Sequence, residues 1–167
     1  DIRYALDPHF QFTASRAIYK AIVKYLALQN KESYTIQPLP VNSFYIENKG
    51  GDSIQLCWTP TVDSLSDAGA LPTGYVVYTQ CDESGFNNGF YTTDTTFVLP
   101  IKQDMLYQFK VTAVNAGGES FASEILSASI SSKDTHTLLV VNGFDRLSSP
   151  DFFETTDYQG IGVKDDC

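Results

Sequence analysis

Apolar and polar side chains alternate most cleanly along residues 105–120 (MLYQFKVTAVNAGGES), where Tyr107, Phe109, Val111 and Ala113 recur at period two with Gln108, Lys110 and Thr112 between them. Successive side chains of a strand point to opposite faces, so this run predicts a strand with one face in a core and the other in water. It breaks at Asn115-Ala116-Gly117-Gly118, where two glycines free the backbone for a tight turn, and a shorter run over 121–128 follows. The same period recurs upstream. Residues 53–59 (SIQLCWT) put Ile54, Leu56 and Trp58 inward and Gln55 and Cys57 outward, with a strand over 41–47 and a turn at 48–52 ahead of them. Residues 74–78 place Tyr75 and Val77 on the core side, and 95–99 place Phe97 and Leu99 there. Residues 60–72 read as a long loop, and Asn88-Gly89 between Phe86 and Phe90 marks a tight turn. Burying the Trp58 ring is worth on the order of 2–3 kcal/mol, which makes it a core anchor rather than a ligand platform. One cluster is expected from Trp58, Tyr75, Val77, Leu99, Tyr107, Phe109 and Val111.

The flanks follow other periods. Residues 1–12 have none and read as an irregular lead-in. From Thr13 onward, a hydroxyl cap precedes Ala17, Ile18, Ala21, Ile22, Tyr25 and Leu26, the stripe of an amphipathic helix over about 13–29 with Asn30 as terminator. Residues 31–39 read as a polar connector; Pro38 and Pro40 stop a helix and extend the chain. Past a polar linker at 131–134, residues 137–141 (TLLVV) are continuously apolar, as in strands buried on both faces of a parallel sheet. The acidic tail, 151–167, is poorly patterned and reads as the opening of a further segment. Left in water, the helix stripe would forfeit several kcal/mol at about 25 cal/mol per Å². The helix is therefore expected to cover the 137–141 strand, or both to pack on the β unit or a neighbouring molecule, as the broken ends of an interrupted α/β portion.

The order Tyr107-x-Phe109-x-Val111-x-Ala113-Val114-Asn115-x-Gly117-Gly118-Glu119-Ser120 resembles strand F and the F–G turn of a fibronectin type III domain, and Trp58 stands where such domains carry a core Trp on strand B. The resemblance covers about residues 37–130. It implies a mainly β protein: an immunoglobulin-like β-sandwich with an N-terminal α-helix and a C-terminal strand from an interrupted α/β portion. It also implies that Tyr107 ties its hydroxyl to upstream backbone as a tyrosine corner. The expected division is a flank over 1–36 with the helix, a type III domain over 37–131, and the start of an α/β segment over 132–167. The phrase VVNGFDR at 140–146, preceded by such a unit and by the helix SRAIYKAIVKYL, resembles large secreted bacterial proteins that are xanthan-lyase-like or N-acetylmuramoyl-alanine amidase-like. In that group the type III module interrupts an α/β portion. The resemblance implies a secreted, periplasmic or cell-surface protein whose partners are the parent's other domains and extracellular polysaccharide or peptidoglycan. The amidase zinc-ligand set of His and Glu finds no match in these residues.

Charge narrows the partners. Twenty acidic against eleven basic residues give a net charge of −9, which repels phosphate backbones and anionic lipid and argues against nucleic acid or a membrane surface. No apolar run approaches the roughly 20 residues that span a bilayer. The chain opens at Asp1 without a basic and then apolar leader, so its first residues are expected to be mature sequence or a boundary. Cys57, Cys81 and Cys167 are too few and scattered for a disulfide framework or zinc cluster, and Cys57 and Cys81 fall on different sheets. His9 and His136 are remote from each other and expected at the surface. No cofactor, metal site or catalytic set is expected, since no Ser-His-Asp order, G-x-S-x-G elbow, P-loop or GxGxxG occurs.

Two groups remain as ligand-contact candidates. Asn142, Asp145 and Arg146 follow the 137–141 strand, where open α/β sheets bind ligands; the alternative is a turn whose Asp and Arg pair. Tyr78, Phe86 and Phe90, with Tyr91, lie along the edge of the third strand, either stacking on sugars or capping the sandwich. The leading functional reading is a non-catalytic type III module acting as spacer or docking element in a larger secreted protein. Two others stand beside it: a fragment of a polysaccharide lyase or peptidoglycan amidase supplying part of a substrate site through Asn142, Asp145 and Arg146, and a direct carbohydrate-binding module.

Overall fold

The computed structural model describes residues 6–65, 70–133, 138–139, 151–154, 156 and 159–162. The chain divides into two units, one of Asp1–Glu32 with Thr137–Cys167 and the other of Ser33–His136.

In the first unit, helix α1 spans Pro8–Asn30 and so starts well before residue 13. Its cap is Asp7, whose side chain accepts the His9 backbone N–H at 3.0 Å, not the hydroxyl of Thr13. Pro8 in the first turn has no N–H to leave orphaned there. Cap chemistry, not periodicity, therefore sets the start. The helix ends past Asn30 with Lys31 left-handed at φ 57°, its N–H returning to the Ala27 carbonyl. Among the described residues the stripe is open: Ile18, Ile22, Tyr25 and Leu26 are 62, 53, 61 and 53% exposed. The partly buried positions are Pro8, Ala14, Arg16, Tyr19, Lys20 and Val23, with Ala27 buried. Long polar side chains bury their stems while their heads stay wet, so this face can pack although it reads as polar. Of residues 137–141, only Leu138 and Leu139 are described; they lie outside any strand and are exposed. The tail that reads as unpatterned contains a hairpin, β9 (Asp151–Glu154) and β10 (Gln159–Gly162), with Phe152 opposite Ile161. Strands of four residues are too short to declare a period.

The second unit is an antiparallel sandwich. One sheet has the order β1 (Asn42–Gly50), β2 (Ser53–Thr59), β5 (Thr96–Pro100). The other runs β4 (Phe90–Thr92), β3 (Gly74–Cys81), β6 (Tyr107–Asn115), β7 (Gly118–Glu119), with β8 (Leu126–Ala128) also on β6. Of the 121–128 run, only its last three residues pair as a strand. The inward residues meet between the sheets in one core of Val41, Ile54, Leu56, Trp58, Tyr75, Val77, Ile101, Phe109, Val111 and Ala113, with Leu99 and Tyr107 half-buried against it. Trp58 and Tyr75 pack edge to face, ring centres 5.4 Å apart. The Tyr107 hydroxyl accepts the Lys102 backbone N–H at 3.3 Å, closing the tyrosine corner.

Two readings of the second unit need correction. Cys57 does face away from the core but is buried, because Tyr45 stands opposite it in the ladder and the thiol beside the phenol raises the Tyr45 pKa. The connector over 31–39 is not simply polar, for Ile36 and Pro38 are fully buried. Asn115 donates to the carbonyls of Ile36 at 2.9 Å and Leu71 at 3.2 Å, while its side-chain oxygen takes the Gly117 N–H at 2.7 Å. The Gln37 amide reaches the Glu119 carbonyl. The F–G turn thus grips the preceding chain as a strap.

Asp104 does the same where the sandwich ends. Left-handed at φ 59°, it accepts the Ser132 N–H at 3.0 Å and the Ser132 hydroxyl at 2.5 Å. These bonds hold its carboxyl below the usual range. A depressed carboxyl adds stability above its unfolded pKa, and that contribution fades as pH falls through the folded value. The Ser132 amide shift, followed by NMR during acid titration, is expected to move with a midpoint below that of an ordinary aspartate. A midpoint at or above the ordinary value would contradict the contact.

Candidate binding face on the outer side of the sandwich

The outer face of β3 and β6 carries the polar half of the alternation. Antiparallel register sets Tyr78 of β3 opposite Lys110 of β6, and Val76 opposite Thr112. The Lys110 ammonium sits 5.3 Å from the centre of the Tyr78 ring and 4.4 Å from that of Phe86. Both lie within the reach at which a ring's negative face attracts a cation. Tyr78 donates its hydroxyl to Glu119 Oε1 at 2.6 Å, and Thr112 donates to the same oxygen at 2.7 Å. The carboxylate beside it raises the Tyr78 pKa.

Local sequence fixes each wall. Phe86 precedes Asn87, whose N–H reaches the Thr79 carbonyl at 2.9 Å and whose side chain takes the Thr79 N–H at 3.0 Å and the Gly89 N–H at 3.0 Å. Its amide also donates to Thr79 Oγ1 at 2.8 Å. Gly89, at φ +83°, lies so close that a Cβ there would meet Val76 Cγ1 at 2.3 Å and the Tyr78 ring edge at 3.1 Å. The tight turn read from Asn88-Gly89 is therefore an Asn87 clamp that carries Phe86 back over the sheet. Asn87→Ala is expected to cost about 1–3 kcal/mol, since it leaves partly buried backbone groups unpaired. Urea unfolding measures it, and a cost under about 0.5 kcal/mol would contradict the clamp.

The structure brings Tyr78 and Phe86 together and leaves Phe90 apart. Phe90 pairs with Val77 in the ladder, shares the inward side and stacks on Phe97, ring centres 5.8 Å apart. Tyr91 shares the outer face, opposite Val76. Asn142, Asp145 and Arg146 lie outside the described residues. Sequence reading missed Lys110 and Glu119; Lys110 was visible only as a polar residue of the alternation, and the signal that places it is the β3–β6 register. Among the described residues no group of three or more His, Cys, Asp or Glu could hold a metal ion. No described helix is long and apolar enough to cross a membrane.

Strand order, the two-sheet core and the Tyr107 corner define a sandwich of the fibronectin type III, immunoglobulin-like class. No family model matches the chain, and no curated protein matches it. Among solved structures, titin kinase with its flanking domains is similar at 24% identity over 57% of this chain and 18% of that one, TM-score 0.49. The twitchin kinase region from C. elegans is similar at 22% identity over 57% of this chain and 17% of that one, TM-score 0.48. The third fibronectin III domain of the human KIAA0343 protein is similar at 17% identity over 64% of this chain and 94% of that one, TM-score 0.47.

Proposed function

We propose that the chain is a non-catalytic type III module, a spacer or docking element of a larger secreted bacterial protein associated with extracellular polysaccharide or the cell wall. The supporting observation is that the sandwich is fastened where the chain joins it and where it leaves. Asn115 and Gly117 grip the strap at one end of the strands, and Asp104 grips Ser132 at the other. Fastening of this kind fixes the direction in which the chain enters and leaves the module, which is what a spacer must supply. The helix and the segment from Thr137 onward then belong to an α/β portion that the sandwich interrupts, a reading supported by their falling in one unit. The secreted, cell-wall setting rests on the likeness of residues 140–146 and the helix to xanthan-lyase-like and amidase-like proteins.

Incubating the purified chain with xanthan or peptidoglycan fragments tests the proposal. No new reducing ends and no new amino groups are expected. Release of either would overturn the non-catalytic reading.

A further inference from the structure

The Lys110 ammonium is held in an unusual way. Among the described residues it makes no ion pair; its neighbours are the rings of Tyr78 and Phe86, at 5.3 and 4.4 Å. Around it stand parts that are each held independently of the lysine. Phe86 is carried by the Asn87 clamp, and Tyr78 is fixed by its 2.6 Å bond to Glu119 and by Gly89 at its ring edge. Glu119 is steadied in turn by Thr112 at 2.7 Å. Two ring faces make an environment suited to a cation on an alkyl stem. The net charge of −9 favours cations around the whole molecule.

We propose that the Tyr78 and Phe86 rings form a receptor for an alkylammonium group, and that the chain's own Lys110 fills it until such a group displaces it. The shared chemistry is a primary or quaternary ammonium on an alkyl stem, from a lysine-type side chain or from a choline-type head. An internal occupant tethered at the site competes at high effective concentration, so the intact chain binds weakly and removal of the occupant raises affinity. The site stands apart from the spacer reading, because it depends only on the outer face of β3 and β6.

The test uses the full chain and two probes, tetramethylammonium chloride and n-butylammonium chloride, against sodium chloride at equal ionic strength. Binding is read from NMR shifts of the Tyr78 and Phe86 rings. Lys110→Met is expected to bind at least one probe about 10-fold tighter than the unsubstituted chain, a gap of about 1.4 kcal/mol. Lys110→Gln serves equally if the methionine variant folds poorly. Adding Tyr78→Leu or Phe86→Leu should abolish the gain. Preference for tetramethylammonium marks a choline-type source, and preference for butylammonium a lysine-type source. Equal affinity before and after removal of Lys110, shifts matched by sodium chloride, or a gain that survives loss of both rings would overturn the proposal.

Discussion

Replacing Trp58 by alanine is expected to destabilise the sandwich by about 3–5 kcal/mol, the range for emptying a large aromatic site in a packed core. Trp58 is 4% exposed, belongs to the core between the sheets, and meets Tyr75 edge to face at 5.4 Å. Phe109, Val77 and Val111, all fully buried, belong to strands whose ladders fix their backbones, so the cavity cannot collapse easily. Among the described residues the buried indole N–H has no hydrogen-bond partner, so its loss offsets part of the cost of emptying the site. A buried orphan donor costs about 1–3 kcal/mol. Trp58→Phe removes that donor along with part of the ring and is therefore expected to cost distinctly less than its lost volume alone suggests. Urea unfolding followed by far-UV circular dichroism measures both variants. A Trp58→Ala cost below about 1 kcal/mol would show that this ring does not anchor the core.

The second large effect is expected at Gly117. A Cβ there would stand 2.4 Å from the Thr35 carbonyl oxygen and 2.8 Å from both the Gln37 nitrogen and the Ile36 carbonyl carbon. All three are backbone atoms, and neighbouring chain is pinned by Asn115 and by the burial of Ile36 and Pro38. A clash with backbone is not relieved by turning a side chain, so Gly117→Ala is expected to cost about 1–3 kcal/mol and to loosen the strap. Gly85 provides the control. A Cβ there meets nothing within 4 Å, and Gly85→Ala should lie within about 0.5 kcal/mol of the unsubstituted chain. Equal stability of the two variants would mean that the F–G turn does not hold the strap. Amide exchange at Gln37 offers a second reading, with faster exchange expected in Gly117→Ala alone.

What could be read from the sequence tracks how far each feature depends on distant chain. Strand β2 falls on residues 53–59 as the alternation of Ile54, Leu56 and Trp58 requires, and β6 likewise follows Tyr107, Phe109, Val111 and Ala113. Period two is a local property and survives into the fold. Cys57 shows its limit. Alternation says which way a side chain points, but Tyr45 on the neighbouring strand decides whether it is wet. The strap is hidden for a similar reason, since two buried positions in an extended segment make no period and Asn115, which holds the Ile36 carbonyl, lies 79 residues on. At the candidate site, Tyr78 and Phe86 stood out as aromatics, whereas Lys110 and Glu119 gain meaning only from the pairing of β3 with β6 and the return of the chain at β7. The helix stripe marks the opposite failure: Ile18, Ile22, Tyr25 and Leu26 have the period of a packed face yet remain exposed. Pattern states what would gain by burial and not whether a neighbour is present to bury it.

The unit Ser33–His136 is expected to fold by itself as a sandwich, strap included. The most direct measurement is the unfolding of that fragment beside the full chain, monitored through Trp58. If the claim holds, the fragment unfolds in one cooperative transition, with a buried tryptophan emission and a urea midpoint matching that of the sandwich transition in the full chain. A fragment that is unfolded, or whose Trp58 emits as in water while the full chain's does not, would contradict it.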